Sequence, residues 1–335
     1  MNFTEKLQIA YKQLCRARRI LLVGHTSPDA DALSSVGAMI AVARSLKLDV
    51  SAFADKKPAD TYSFIPNEEL ISSEEPGDLR QFDVILILDC GSISRTGLEA
   101  RLRTLLKAEA EGRVIKRPYI IEFDHHQPLE TYADLEIRLP EKASTTEIIY
   151  HFLKANDLEI TKDLSNCILI GLMTDTGHFL HANSSQEAIA VSSEMLLRGA
   201  SLPKIVSHTV NNKSFVSLKI WGRALENMHF NAATGLASSG LTAAELASLL
   251  KPDTAYSLDL FGDIVSFLST LDGVKVALLL REEGGMIKGS LRTNGDEIDV
   301  SILAQNFGGG GHKKAAGFSI AGRIARTETG WKIIK

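Results

Sequence analysis

Apolar runs without alternation and segments of helical periodicity follow one another along the first half of the chain. Continuous runs of Ile, Leu and Val predict strands that are buried on both faces, whereas apolar residues spaced three and four apart predict helices. The predicted strands are Arg19–Val23, Val50–Ala54, Asp83–Leu88 and Tyr119–Phe123. The predicted helices are Phe3 to Leu14, Asp31–Leu46, Arg95–Ala110, Ser144–Ala155 and Lys162–Met173. This order predicts an α/β domain whose parallel sheet has helices on both faces.

The pattern changes near residue 184, where strand-like runs stop. Residues of about 186–226 are predicted to form a helical linker. Beyond it, the predicted strands are Met228–Ala237, Val274–Arg281 and Met286–Arg292, and the predicted helices are Leu241–Leu250 and Leu258–Leu271. We therefore predict two domains, residues 1–205 and a smaller α+β domain of residues 227–335.

Length and composition narrow the class of protein. The 335 residues exceed one typical compact core. A net charge of −4 disfavours a surface that coats long nucleic acids. Three widely spaced cysteines offer neither a disulfide framework nor a CxxC metal site. No apolar run approaches the ~20 residues of a membrane span, and no signal-peptide core is present, so we expect a soluble cytoplasmic protein without a membrane partner.

Histidine and aspartate follow three of the predicted strands. The first strand runs into GHTSPDAD, the third into DCG and the fourth into DHH, and a further aspartate follows the apolar segment CILIGLMT. The carboxyl ends of parallel strands meet at one edge of a sheet, where loops converge on ligands. The candidate functional residues are His25, Asp29, Asp31, Asp89, Asp124, His125, His126 and Asp175.

The DHH motif alone has two interpretations, a polar loop that caps a buried strand or a site for metal or phosphate. An aspartate after a strand is also a common helix N-cap, so Asp89 or Asp175 considered alone could have either a capping role or a functional one. Four such motifs in succession favour a functional site. So many carboxylates would repel one another unless cations balanced them. Mixed nitrogen and oxygen donors suit manganese, with magnesium, cobalt or zinc as alternatives.

The four motifs resemble those of the DHH phosphoesterase superfamily: GHTSPDAD, the aspartate of ILDCG, FDHH and the aspartate of LMTDTG. Ala30 stands where many relatives have glycine, which leaves the ligands untouched. The run FGGGGHKKAAG, residues 307–317, resembles the GGGH signature of the DHH-associated substrate-binding domain. This pairing of domains is most similar to the bifunctional oligoribonucleases and pAp phosphatases of the superfamily.

The resemblance implies a site with two divalent metal ions, for which Mn²⁺ is expected and Mg²⁺ or Co²⁺ are alternatives. One ion would be held by His25, Asp29 and Asp89, and the other by Asp31, Asp89, His125 and Asp175. Catalytic roles fall to Asp89 as the bridging ligand, His126 facing the scissile phosphate and Asp124 orienting the histidines.

Substrate binding is implied in the second domain for Arg292, Thr293, Gly309, Gly310, Gly311, His312 and Lys313. A glycine run is also typical of a flexible turn, and Lys313 is equally compatible with a solvated surface charge.

The implied reaction is hydrolysis of very short RNA to nucleoside monophosphates and of 3′,5′-pAp to AMP, and the resemblance is compatible with a homodimer. One alternative is a phosphodiesterase acting on cyclic di-AMP or pApA. A second is a non-catalytic nucleotide- or RNA-binding protein, because the GGGGH module also resembles a domain of alanyl-tRNA synthetases. The complete set of metal ligands favours an enzyme.

Overall fold

The computed structural model describes residues 1–112, 117–128, 130–181, 183–210, 214–250, 258–328 and 330–334, with only the backbone at 258, 259 and 312. The chain divides into two compact units, Met1–Asn211 and Asn212–Lys335. Each unit has its own core and sheet.

The first unit is built on a six-stranded parallel sheet in the order β3-β2-β1-β4-β5-β6. Its strands are β1 (Arg19–Val23), β2 (Asp49–Phe53), β3 (Ile71–Ser72), β4 (Val84–Leu88), β5 (Tyr119–Asp124) and β6 (Leu135–Arg138). The predicted parallel sheet is confirmed. Chain order reverses direction between β1 and β4, which makes their carboxyl ends the point where loops diverge and a ligand fits.

Helices cover both faces of this sheet, as predicted. They are α1 (Phe3–Arg16), α2 (Ala30–Ser45), α3 (Glu99–Ala110), α4 (Thr145–Ala155), α5 (Lys162–Asp175), α6 (Gln186–Leu197) and α7 (Leu202–Thr209). Alternate residues of β1 enter opposite cores: Ile20 and Leu22 pack in the larger core, and Leu21 and Val23 pack in the smaller one with α3. Burial on both faces explains why the strand reads as one unbroken apolar run.

Two features of the first unit differ from the prediction. The helix expected from Arg95 begins at Glu99, because a short 3₁₀ helix at Ile93–Thr96 ends in left-handed Gly97 at φ +71°. The short edge strands β3 and β6 were not predicted, since two and four residues are too few to show a clear periodic pattern.

The second unit is an α+β domain with a six-stranded mixed sheet in the order β11-β12-β10-β9-β8-β7 and a two-stranded sheet β13-β14. Its strands are β7 (His229–Asn231), β8 (Leu236–Leu241), β9 (Val276–Glu283), β10 (Met286–Arg292), β11 (Gly310–His312), β12 (Ala315–Ala321), β13 (Arg323–Thr327) and β14 (Gly330–Ile334). Its helices are α8 (Phe215–Glu226), α9 (Ala243–Leu249), α10 (Ile264–Ser269) and α11 (Val300–Gln305). The predicted α+β class is confirmed.

Two predicted elements of the second unit were wrong in extent. The single strand Met228–Ala237 is two strands, β7 and β8, separated by a turn at left-handed Gly235. The helix Leu258–Leu271 is a 3₁₀ helix at Leu258–Phe261 followed by α10, because Asp263 adopts φ +66° and interrupts it. Strands β11 to β14 were not predicted: β11 is mostly glycine, and β13 and β14 are five-residue strands in which charged and apolar residues mix.

The residues predicted as a helical linker form α6 and α7 of the first unit and α8 of the second. This last helix packs within the second unit, where Ile220 and Ala224 are fully buried in the core. Across the described ranges, each helix is too short or too polar to cross a membrane.

Candidate metal centre

The loop after β1 delivers the first donors to the carboxyl edge of the sheet. Gly24 continues the β1 strand by donating its N–H to the Phe53 carbonyl at 2.9 Å, and buried His25 follows. Asp29 is the N-cap of α2, with Oδ1 accepting from the Ala32 N–H at 3.1 Å. Its other oxygen therefore remains at the sheet edge, 3.7 Å from His25 Nε2.

Asp31 is fully buried in the first turn of α2 and is held by the start of α4. The backbone N–H groups of Thr145 and Thr146 donate to its two oxygens at 2.7 Å and 3.2 Å. On α5, a Cβ at Gly171 would lie 2.1 Å from Asp31 Oδ1, so only glycine leaves room for this carboxylate. Three helices thus fix one side chain.

Asp89 follows β4 in a left-handed conformation, at φ +61°. Its N–H donates to the Phe123 carbonyl at 3.0 Å, which keeps it beside β5. Its Oδ1 accepts a 2.8 Å hydrogen bond from the Thr145 hydroxyl and lies 3.5 Å from His125 Nε2. Aspartate tolerates this backbone region better than most residues, and the strain is sustained by the surrounding contacts.

The DHH loop places its two histidines differently. His125 Nε2 lies 3.0 Å from Asp175 Oδ2, at the carboxyl end of α5. His126 Nδ1 lies 2.8 Å from Asp124 Oδ1 and 3.4 Å from Asp89 Oδ1. Asp124 also accepts the Gly91 N–H, so this buried carboxylate ties the DHH loop to the loop after β4.

The donor atoms form three overlapping groups, in each of which the atoms lie within 4.8 Å of one another. Asp89 belongs to two of them, and His125 also belongs to two. The groups are His25, Asp29, Asp89; Asp31, His125, Asp175; and Asp89, His125, His126. His25 Nε2 is buried, with no hydrogen-bond partner in the part of the chain described, which is costly for a ring nitrogen without a ligand. This donor set fits divalent cations.

Electrostatics agree with that fit. Burial, reinforced by the charge of Asp29, raises the pKa of Asp31 to about 6, and burial with the charge of Asp31 raises that of Asp175 to about 7. Asp89 has its pKa raised well above the usual range by the same causes. For His125, burial lowers the pKa, but Asp175 and Asp89 raise it more, so the pKa ends well above its ordinary value. These raised pKa values mean that the carboxyl groups tend to hold protons, and that bound cations would stabilise their deprotonated forms instead.

A fourth group, Glu147, His151 and Glu187, has a different character. The Lys142 ammonium lies 2.5 Å from Glu187, 3.2 Å from His151 and 3.4 Å from Glu147. The charges here are met by a lysine, so the group is an ion-pair network of α4 and α6.

Comparison with known proteins defines the family. The DHH family, N-terminal domain, matches residues 19–172, and the DHHA1 domain matches residues 246–328. The chain belongs to the DHH phosphoesterase superfamily. It is an enzyme of the class that hydrolyses phosphoesters, and the DHH family is metal-dependent.

Relatives align with this chain across both matched regions. The bifunctional oligoribonuclease and PAP phosphatase NrnA of Thermus thermophilus is 26% identical over 304 residues, 90% of this chain and 84% of the relative. The cyclic-di-AMP phosphodiesterase GdpP of Geobacillus thermodenitrificans is 22% identical over 89% of this chain and 44% of its own length. A crystal structure of an exopolyphosphatase-related protein from Bacteroides fragilis matches with a TM-score of 0.81 and 27% identity, covering 94% of this chain and 90% of that one.

The DHHA1 domain holds the predicted substrate residues near the end of β10 and in β11. Arg292 is half-buried, and burial lowers the pKa of its guanidinium. Thr293 is buried, and its hydroxyl donates to the Lys275 carbonyl at 2.7 Å, so this side chain fixes the strand end. Lys313 is exposed, whereas the side chain of His312 lies outside the described residues.

The glycine run of this DHH-superfamily chain separates into distinct roles. A Cβ at Gly309 would lie 2.1 Å from the Gly317 carbonyl oxygen, and one at Gly311 2.5 Å from that of Ala315. Both glycines are required by strand packing. Gly310 is exposed, and a Cβ there would meet nothing within 4 Å, so folding does not explain it.

Sequence reasoning missed the residues that position the donors, namely Thr145, Thr146 and Gly171. The hydroxyl-rich run Ser144 to Thr146 at a predicted helix start was the available signal, because such residues cap helices and their N–H groups face anions. Gly171 left no signal, since its role depends on how closely α2 and α5 pack.

Proposed function

We propose that this chain hydrolyses very short RNA oligonucleotides to nucleoside monophosphates and dephosphorylates 3′,5′-pAp to AMP. The observation that supports it most is the position of Asp89, whose carboxylate lies within reach of both His25–Asp29 and the DHH histidines. A shared carboxylate between two donor sets is the arrangement that two-metal phosphoester hydrolysis requires. The relationship to NrnA directs the choice of substrate.

In this proposal the first ion is held by His25, Asp29 and Asp89, and the second by Asp31, Asp89, His125 and Asp175. Manganese is the expected ion, because imidazole and carboxylate donors occur together. When bound, two such ions supply Lewis acidity toward phosphoryl oxygens and lower the pKa of water.

The side chains of the chain do the remaining work. Asp124 accepts from His126 Nδ1, which fixes the ring orientation and the tautomer. We assign His126 Nε2 to a non-bridging oxygen of the scissile phosphate, where a donor stabilises developing negative charge. Thr145 holds the shared carboxylate of Asp89 through its hydroxyl.

In the DHHA1 domain we assign substrate binding to Arg292, Gly310, Gly311, His312 and Lys313. Gly309 and Thr293 fix the conformation of the same loops. A planar guanidinium binds phosphate in a bidentate manner or stacks on a base. The exposed backbone of Gly310 can approach an anion closely because it has no side chain.

A second candidate is hydrolysis of cyclic di-AMP or pApA, which the relationship to GdpP favours. Product analysis with manganese separates the two: pAp, pApA, cyclic di-AMP and an RNA five-mer are offered in parallel. AMP from pAp and monophosphates from the five-mer support the proposal. Turnover of cyclic di-AMP with an intact five-mer supports the second candidate. No turnover by manganese-loaded protein would leave only nucleotide binding.

A further inference from the structure

The guanidinium of Arg95 lies at the rim of the candidate metal centre. Its Nη1 is 3.4 Å from the point where a Cβ on Gly91 would sit, and His126 Cβ is 3.4 Å from the same point. Gly91 also donates to Asp124, the partner of His126. Arg95 therefore flanks the catalytic histidine from the loop that follows Asp89.

The backbone of Arg95 is fixed to two loops of the site. Its carbonyl accepts from the Thr26 N–H at 2.8 Å, one residue beyond His25, and its N–H donates to the Ser92 carbonyl at 3.2 Å. The position of the side chain is therefore coupled to the metal-binding loops.

Unlike most arginines of the first unit, Arg95 has no carboxylate partner among the residues that the structure describes. Within the ranges that the structure describes, its guanidinium donates no hydrogen bond and forms no ion pair. Arginines of the first unit that hold carboxylates are Arg19, Arg80, Arg101, Arg103, Arg117, Arg138 and Arg198. A half-buried guanidinium at a site for anionic substrates has a ligand-binding role as its simplest physical explanation.

We propose that Arg95 binds the phosphoryl group undergoing hydrolysis, on the side of His126. The assignment rests on the proposed phosphoesterase function and deepens it by adding a phosphate-binding residue from the DHH domain itself. The planar guanidinium donates hydrogen bonds to the non-bridging oxygens. The stabilisation that these bonds provide increases as negative charge accumulates on the oxygens in the transition state.

The test compares Arg95→Ala with Arg44→Ala, a control on α2 whose guanidinium donates to Asn67 instead. Both are assayed with manganese on pAp and on bis(p-nitrophenyl) phosphate, a diester with one phosphate and no base. Removing one transition-state donor typically lowers kcat by about 100-fold or more. We expect such a loss on both substrates for Arg95→Ala, partial recovery with added guanidinium ion, and near wild-type rates for Arg44→Ala.

Other results overturn the assignment. A loss on pAp with full activity on the diester would move Arg95 to a different phosphate. A loss without guanidinium rescue, accompanied by a lower Tm or metal content, would make Arg95 structural. If the wild-type protein turns over neither substrate, the proposed function fails, and titration of pAp into metal-loaded protein decides Arg95: equal affinity in wild type and Arg95→Ala rejects it.

Discussion

The candidate metal centre and the glycine run of the DHHA1 domain differ in what the fold itself explains. At the metal centre, folding gathers Asp31, Asp89 and Asp175 at a cost, since burial and mutual repulsion raise the pKa of each carboxyl. In the glycine run, Gly309 and Gly311 are explained by backbone packing, and only Gly310 has no structural requirement. The first region is thus marked by carboxylates whose charged forms are disfavoured, and the second by a glycine that packing does not require.

The largest expected effect comes from the shared carboxylate. Asp89→Asn keeps the size and left-handed tolerance of the side chain but removes its charge. Losing about 3 kcal/mol of transition-state stabilisation corresponds to a fall in kcat of about 100-fold or more. Activity and metal stoichiometry are measured together. The control is Asp157→Asn, an exposed aspartate that also has a positive φ, of 52°. Full activity in Asp89→Asn would refute the two-metal assignment.

The packing behind the same centre is tested by Gly171→Ala. The added Cβ would lie 2.1 Å from Asp31 Oδ1 and 2.3 Å from Thr146 Oγ1. Overpacking of this kind lowers the free energy of unfolding by about 1–3 kcal/mol. Gly222→Ala is the matched control, an exposed glycine inside α8 whose Cβ would meet nothing within 4 Å. There the change should stabilise by about 0.5–1 kcal/mol. Denaturant unfolding of both variants checks the opposite signs.

These positions also show which parts of the site can be predicted from the sequence and which cannot. Strands β1, β4 and β5 have continuous apolar runs, so their ends, and the aspartates and histidines that follow, could be placed at one edge from local pattern alone. Gly171 and Thr145 act on Asp31 across more than a hundred residues of sequence. Their role arises from the packing of α4 and α5 against α2, which local pattern does not contain.

The DHHA1 domain was harder to predict for a related reason. Strand β11 consists of Gly310, Gly311 and His312, which lack the β-branched and aromatic residues that predict strands. The strand forms because β12 provides an antiparallel partner, with Gly311 opposite Ala316. Tertiary pairing overrides a weak local preference here.

A smaller effect concerns pH. The carboxyls of Asp31 and Asp175 keep their protons in the folded metal-free protein up to about pH 6 and about pH 7, above the ordinary value of about 4 in the unfolded chain. The folded state then binds more protons, so stability should fall as pH rises through that window. Manganese requires the deprotonated ligands, so the rise in Tm that it causes should be greater at about pH 8 than at about pH 5. Equal rises at both pH values would contradict this electrostatic description.

The smallest expected effect distinguishes Gly310, which packing does not require to be glycine, from Gly309, which packing does require. Gly310→Ala adds a methyl group that touches nothing in the described chain, so the free energy of unfolding should change little. If substrate backbone or phosphate approaches this glycine, KM for the RNA five-mer should rise several-fold while kcat and metal content stay unchanged. Gly309→Ala is the comparison variant. Its Cβ would lie 2.1 Å from the Gly317 carbonyl oxygen, so this substitution should lower the free energy of unfolding. An unchanged KM in Gly310→Ala would remove this glycine from the substrate surface and leave Arg292 as the residue to test next in the DHHA1 domain.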